Sequence, residues 1–218
     1  MRPRYFILLV LVFVLTASVF AQQDDDDVQS WNDVQITVPI SKKIDLTLIT
    51  TARIGQNLSR LNEARIAPGF VFKPTKAFSI APSYTAIVSR NSAGQFRDEH
   101  RFSVRGTYKF PTKPIGVSHR STYEYRVRTS GNSWRYRAAI VLERDLPKKF
   151  MADSKIFAIE EVFYVSTTKR FSRNRFSIGI SKKLDKRLTL DVYYLRQNDG
   201  RTFQGDVNVI GTTWRINL

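Results

Sequence analysis

The chain has 218 residues, with 35 lysines and arginines against 19 aspartates and glutamates for a formal charge of +16, and no cysteine. That length suits one domain. The absence of cysteine excludes a disulfide-stapled scaffold, so stability must come from hydrogen bonding and packing, and the charge points to anionic partners.

In chain order, Arg2 and Arg4 precede an apolar run from Tyr5 to Leu15, and Val19-Phe20-Ala21 places small residues where signal peptidase needs them. Residues 1–21 read as a cleaved export signal. A retained anchor is the alternative, but Thr16 and Ser18 interrupt the stretch, which falls short of the roughly 20 residues of a span. Export makes nucleic acid a poor partner and favours phospholipid, lipopolysaccharide or small anionic solutes. Residues 22–30, which hold "DDDD" at 24–27, read as an acidic, solvated, disordered leader, and residues 31–218 as the folded domain.

From Trp31 onward no segment carries a 3.6-residue stripe. Eleven alternating segments follow instead, over about 31–40, 44–54, 63–72, 78–89, 99–110, 117–129, 134–142, 155–166, 175–181, 187–197 and 207–218. In the second, Ile44, Leu46, Leu48, Ala52 and Ile54 oppose Asp45, Thr47, Thr51 and Arg53. In the fifth, Phe102, Val104, Gly106, Tyr108 and Phe110 oppose Arg101, Ser103, Arg105, Thr107 and Lys109. The eighth, "KIFAIEEVFYVST", leaves its register open, because Glu160 or Glu161 must fall on the apolar side unless a bulge intervenes. In the tenth, Leu188, Leu190, Val192 and Tyr194 oppose Arg187, Thr189 and Asp191.

The connections alternate between two kinds. One is rich in lysine ("SKK", "KPTKA", "PTKPIG", "PKKFMADS", "SKKLDKR") and the other in Asn, Gly and Arg ("GQNLSRLN", "RNSAGQFRD", "SGNS", "TTKRFSRN", "NDGRTFQG"). Ten of the thirteen lysines sit in the first kind and only Lys169 in the second, as expected of a meander running between two different environments. The fold class is therefore all-β: a single antiparallel up-and-down barrel of about 10–12 strands. Eleven strands start and finish at opposite ends, so the even parity of bacterial membrane barrels predicts ten or twelve, or a leader that threads the lumen.

Segments of about ten residues match tilted membrane strands. In lipid the apolar faces point outward, with Trp31, Phe72, Phe78, Tyr84, Tyr108, Phe110, Tyr123, Trp134, Tyr194 and Trp214 as interface girdles. The charges then face the lumen: Arg65, Arg101, Arg105, Arg120, Arg126, Arg135, Arg137 and Arg175, with Glu63, Glu99, Glu124 and Glu143. Facing lipid instead would cost about 2–4 kcal/mol per arginine at the midplane. The soluble alternative is a periplasmic lipocalin-like carrier with its greasy faces inward. A hydrophobic content of 42% suits both, but eleven strands exceed a lipocalin's eight.

Trp31 opening the first strand, "HRSTYEYRVR" followed by "WRYR", then "EEVFY", "NRFSIGISKKL" and "LDVYYLRQ" resemble an uncharacterised family of bacterial outer-membrane β-barrels, domain-of-unknown-function family 2490, over nearly the whole chain after the signal. The resemblance implies a barrel in the outer membrane of a Gram-negative-type cell and no known activity. Leu218 stands where such barrels often finish in Phe, while Trp214, Ile216 and Leu218 keep the alternation expected of a signal read by the barrel assembly machinery.

For enzymatic chemistry the sharpest candidate is His119 with Ser121, and Asn132 beyond the next turn. The set resembles the His-x-Ser pair and neighbouring Asn of outer-membrane phospholipase A, but "SHRSTYE" lacks the Asn-Gly-Arg that follows the pair there, and Asn132 falls in a turn. Two histidines, no cysteine and no spaced carboxylate loop argue against a metal. No catalytic residue and no cofactor is expected. The sequence points to a passive pore or structural barrel whose lumen charge, Arg101, Arg105, Arg120, Arg126, Arg135 and Arg137 against Glu124 and Glu143, leaves positive charge over and prefers anions. Its expected partners are outer-membrane lipid, lipopolysaccharide, the assembly machinery and small anionic solutes.

Overall fold

A computed structural model of the chain describes residues 26–199 and 205–218. The export signal and residues 22–25 of the leader lie outside them. Eleven strands follow one another: β1 (Asp27–Ser41), β2 (Ile44–Gly55), β3 (Arg60–Phe72), β4 (Phe78–Arg90), β5 (Phe96–Phe110), β6 (Gly116–Arg128), β7 (Ser133–Asp145), β8 (Ser154–Val165), β9 (Arg170–Lys183), β10 (Leu188–Asn198) and β11 (Val207–Asn217). One helical turn, α1 (Lys148–Met151), lies in the β7–β8 connection.

Each strand pairs antiparallel with the next, and β1 closes the barrel on β11 in parallel, from Asp27 opposite Val207 to Thr37 opposite Asn217. The eleven alternating segments are thus eleven strands, within the expected 10–12, and only the even count that parity suggested does not hold. Lipid demands that no sheet edge remain, and a parallel ladder removes the edge as an antiparallel one does. The five lysine-rich turns share one end of the barrel with the end of β11. The Asn/Gly/Arg connections share the other end with the start of β1.

Strands extend further into the Asn/Gly/Arg connections than alternation alone indicates, and shorten three of them to 56–59, 91–95 and 166–169. The acidic leader is shortened too, because β1 begins at Asp27. The Asp27 carboxylate accepts backbone N–H bonds from Gln56 at 3.1 Å and Asn57 at 2.7 Å, tying the strand to the β2–β3 turn. Residues 27–30 are thus wall, not disordered leader. At the lysine-rich end the β9–β10 turn is held by Asp185, which accepts the backbone N–H groups of Arg187 at 2.6 Å and Leu188 at 2.8 Å; these bonds hold its carboxyl below the usual aspartate range.

The outer wall exposes Ile66, Phe102, Val104, Tyr123, Ile140, Val192 and Ile210, while Glu99, Arg101, Glu124 and Arg135 are buried inside. This is the inverse of a soluble carrier barrel and gives a transmembrane β-barrel. Aromatic pairs run along the upper rim of the outer wall, with Trp134 stacked between Tyr123 at 5.8 Å and Tyr164 at 5.4 Å. Trp31 does not join the girdle. It points into the lumen and is only 4% exposed, because Asp27, Gln29, Trp31 and Asp33 share the inward parity of β1 while Val28, Val34 and Ile36 take the outward one.

On the inner wall Tyr193 lies opposite Gly211 on one side and Gly179 on the other. A Cβ at Gly211 would strike the Tyr193 ring and one at Gly179 would come within 2.6 Å of the Tyr193 Cβ, so this side chain occupies a slot that two missing side chains create.

Candidate functional site in the lumen

Register decides which charges meet. β5 sets Arg101 opposite Arg126 and Ser103 opposite Glu124, β7 sets Arg135 opposite Glu124, and β8 sets Phe163 opposite Arg137 and Glu161 opposite Ala139. The result is a continuous belt around the half of the lumen nearer the Asn/Gly/Arg end. Glu99 accepts from Arg101 at 2.6 Å and Arg126 at 2.7 Å. Glu124 accepts from Arg135 at 2.6 Å and Arg137 at 2.9 Å, with Arg101 at 3.8 Å. Glu161 takes the other edge of Arg137 at 2.6 Å, and Glu63 is shared by Arg53 at 3.2 Å and Arg65. Shared carboxylates of this kind let buried charges keep charge-assisted hydrogen bonds.

Two aromatic rings fill the space between these pairs. Phe163 is fully buried, with the guanidinium carbons of Arg175, Arg137, Arg135 and Arg173 at 4.8, 5.1, 5.2 and 5.7 Å from its centroid. Trp31 carries Arg53 at 3.6 Å and Arg175 at 4.9 Å, and its indole N–H donates to Gln29 at 2.7 Å. Guanidiniums over ring faces gain from the ring quadrupole, and more so away from water. Beside Trp31, Leu195, Val207, Val209 and Tyr193 form a small apolar cluster inside the barrel.

Every arginine expected in the lumen faces it, but in three situations. Arg65, Arg101, Arg126, Arg135 and Arg137 are in carboxylate pairs, and Arg175 has no ion pair among the described residues but donates to Gln197 at 2.8 Å and stacks on both rings. Arg105 and Arg120 have neither a carboxylate within 4.0 Å nor a hydrogen bond among the described residues. Glu143 corrects the sequence reading. It shares the inward parity of β7 but lies exposed near the lysine-rich mouth, and pairs with none of these arginines; Glu161 takes the place assigned to it.

Glu161 was ambiguous because both faces of β8 are apolar: Phe157, Ile159 and Phe163 point in, while Ile156, Ala158, Val162 and Tyr164 point out. The alternation of β8 runs unbroken, the bulge at Phe163/Tyr164 placing its extra residue, Ser172, on β9, and it leaves Glu160 on the lipid side, where the Asn174 amide reaches it at 3.4 Å. Arg53, which alternation set on the polar face of the second segment, joins the belt, and Arg173 and Asp199 are further members that alternation did not single out. Arg173 Nε donates to Asp199 at 2.6 Å.

Below the belt the inward residues are small. A cavity of about 300 Å³ lies there, lined by Gln35, Thr47, Ser103, Arg105 and Thr122 and floored by Arg101, Glu124 and Arg137.

On the outer wall, His119 Nε2 and Ser121 Oγ stand 2.9 Å apart, and Ser121 also meets the Tyr136 hydroxyl at 2.9 Å. Asn132 is not part of this group, since its amide donates to Tyr125. Ser121 sits in a ladder between Gly106 and Ala138, so the neighbouring backbone N–H groups are engaged in the sheet and cannot form an oxyanion hole. Among the described residues no cluster of three or more His, Cys, Asp or Glu side chains could hold a metal ion.

A family model described as "Protein of unknown function (DUF2490)" matches residues 28–208. No curated protein sequence matches the chain. Among solved structures, the chain is similar to the KdgM porin (14% identity, TM-score 0.50, 87% of this chain and 95% of that one) and to the NanC porin (10%, 0.52, 87% and 96%). LpxR from Salmonella typhimurium also aligns, at 11% identity and a TM-score of 0.49 over 81% of this chain and 83% of that one. At such identities the likeness is one of fold.

Proposed function

Taking as premise that this chain belongs to the DUF2490 family and folds as a porin-like transmembrane barrel, we propose that it is an outer-membrane barrel closed at rest toward the cell exterior, with a positively charged cup open to the periplasm. The observation that carries this is the filling of the upper lumen: Gln29, Glu124, Phe163, Val207 and Val209 are all less than 2% exposed or at that limit. Eight strands give an interior that side chains fill and sixteen leave a channel; here long arginine side chains and two aromatic rings occupy the space that eleven strands leave.

The last strand of an outer-membrane barrel ends in the periplasm. That assigns the lysine-rich turns to the periplasm and the Asn/Gly/Arg connections to the outside. Outer-membrane lipid and lipopolysaccharide then contact the apolar wall, and Trp214, Ile216 and Leu218 offer the assembly machinery its alternating terminal pattern.

Conductance in planar bilayers tests the reading. The wild-type barrel should show no steady current, while Trp31→Ala combined with Phe163→Ala should open one that favours chloride over potassium. A steady wild-type current would replace closure with a constitutive anion-preferring pore.

A further inference from the structure

Most of the lumen arginines are held by carboxylates. Glu63, Glu99, Glu124 and Glu161 between them bind Arg53, Arg65, Arg101, Arg126, Arg135 and Arg137, and Asp191 binds Arg215. Arg105 and Arg120 alone among the sequence-assigned arginines have neither a hydrogen bond nor a carboxylate within 4.0 Å among the described residues. They are close together, because Arg105 faces Thr122 and Arg120 faces Thr107, which places them on the diagonal of adjacent strands, roughly 7–8 Å apart at the backbone and within reach of two long side chains. Arg137 stands on the far side of Thr122.

Guanidinium does not deprotonate in proteins, so neighbouring unpaired arginines repel until an anion sits between them. The cavity beside Arg105 has about 300 Å³; Arg101, Arg105 and Arg137 line it together with the carboxylates of Asp33 and Glu124, and Arg120 stands next to it rather than in its lining. Its volume is at the lower end of the roughly 300–1,000 Å³ of small-ligand sites. The hydroxyls of Ser103 and Thr122 line it as further donors. Two fixed positive charges with no carboxylate in direct contact, offset only at longer range by Glu124, Glu161 and Glu143, suit a small multivalent anion, and a planar guanidinium suits the paired oxygens of phosphate. The wall around the cavity is a closed ladder, which bars bilayer lipid and leaves entry from water at the lysine-rich mouth.

We propose that Arg105 and Arg120, with Ser103 and Thr122, form a binding site for a small free dianionic oxyanion of the phosphate class within the periplasm-facing cup. The direction of entry rests on the closed-barrel reading; the site itself does not.

The test is calorimetric titration of inorganic phosphate into the purified whole barrel in detergent. Saturable binding of one phosphate per barrel is expected, with Arg105→Gln and Arg120→Gln each weakening it about tenfold and Lys169→Gln, at the opposite end, leaving it unchanged. Arg105→Lys keeps the charge and the fold but loses the paired donors, so it should also weaken binding. Absence of saturation, or equal affinity in Arg105→Lys and wild type, overturns the site, as does a loss in Lys169→Gln matching that in Arg105→Gln. Steady wild-type current together with Arg105-dependent phosphate binding would overturn closure and uphold the site; a silent barrel that binds no phosphate would do the reverse.

Discussion

Replacing Glu124 by glutamine removes one charge and almost no volume from the centre of the belt, where the glutamate side chain is 3% exposed. Its three arginine neighbours are not affected alike. Arg101 keeps Glu99 and Arg137 keeps Glu161, but Arg135 has no other carboxylate within 4.0 Å among the described residues. One guanidinium is therefore left buried and uncompensated, and breaking a buried pair in that way costs about 3–5 kcal/mol. Equilibrium urea unfolding of the barrel in lipid vesicles, followed by tryptophan fluorescence and by heat-modifiable gel mobility, should show a loss of that size. Glu143→Gln, exposed and unpaired, should stay within about 0.5 kcal/mol of wild type. A Glu124→Gln barrel that loses less than about 1 kcal/mol, the size of an ordinary neutral hydrogen bond, would refute the belt as a source of rigidity.

Two further outcomes follow from the wall itself. Gly179→Ala forces a methyl group to 2.5 Å from the Val192 carbonyl oxygen and 2.6 Å from the Tyr193 Cβ, and urea titration should register about 1–3 kcal/mol of overpacking strain; a neutral result would mean that the β9–β10 register differs. Because the chain has no native cysteine, single cysteines report sidedness cleanly: Ala93→Cys should react with an impermeant maleimide in intact cells, and Lys42→Cys and Lys148→Cys should not. The opposite pattern would invert the barrel.

The wall was legible where the two faces of a strand differ in chemistry. In β5, Phe102 and Val104 against Arg101 and Arg105 admit a single orientation, and the alternation of lysine-rich with Asn/Gly/Arg connections gave the meander. Legibility failed where both faces are apolar, as in β8, or where a residue suits either environment. Trp31 is as good a girdle residue as a core one, and only its place opposite Arg53 decides. The site was half visible. Alternation identifies which arginines point inward, but which of them lack a partner depends on cross-strand register, and a shift of two residues between β7 and β8 would have moved Glu161 away from Arg137.

The parallel seam between β1 and β11 gives the chain a net displacement across the bilayer. An even meander returns its chain to the compartment it left, so whatever is attached to either end shares one environment. Here the wall crosses an odd number of times. Asp27 and Leu218 therefore lie at opposite mouths of the barrel, and the wall as a whole has the connectivity of a single crossing while presenting a closed cylinder to lipid.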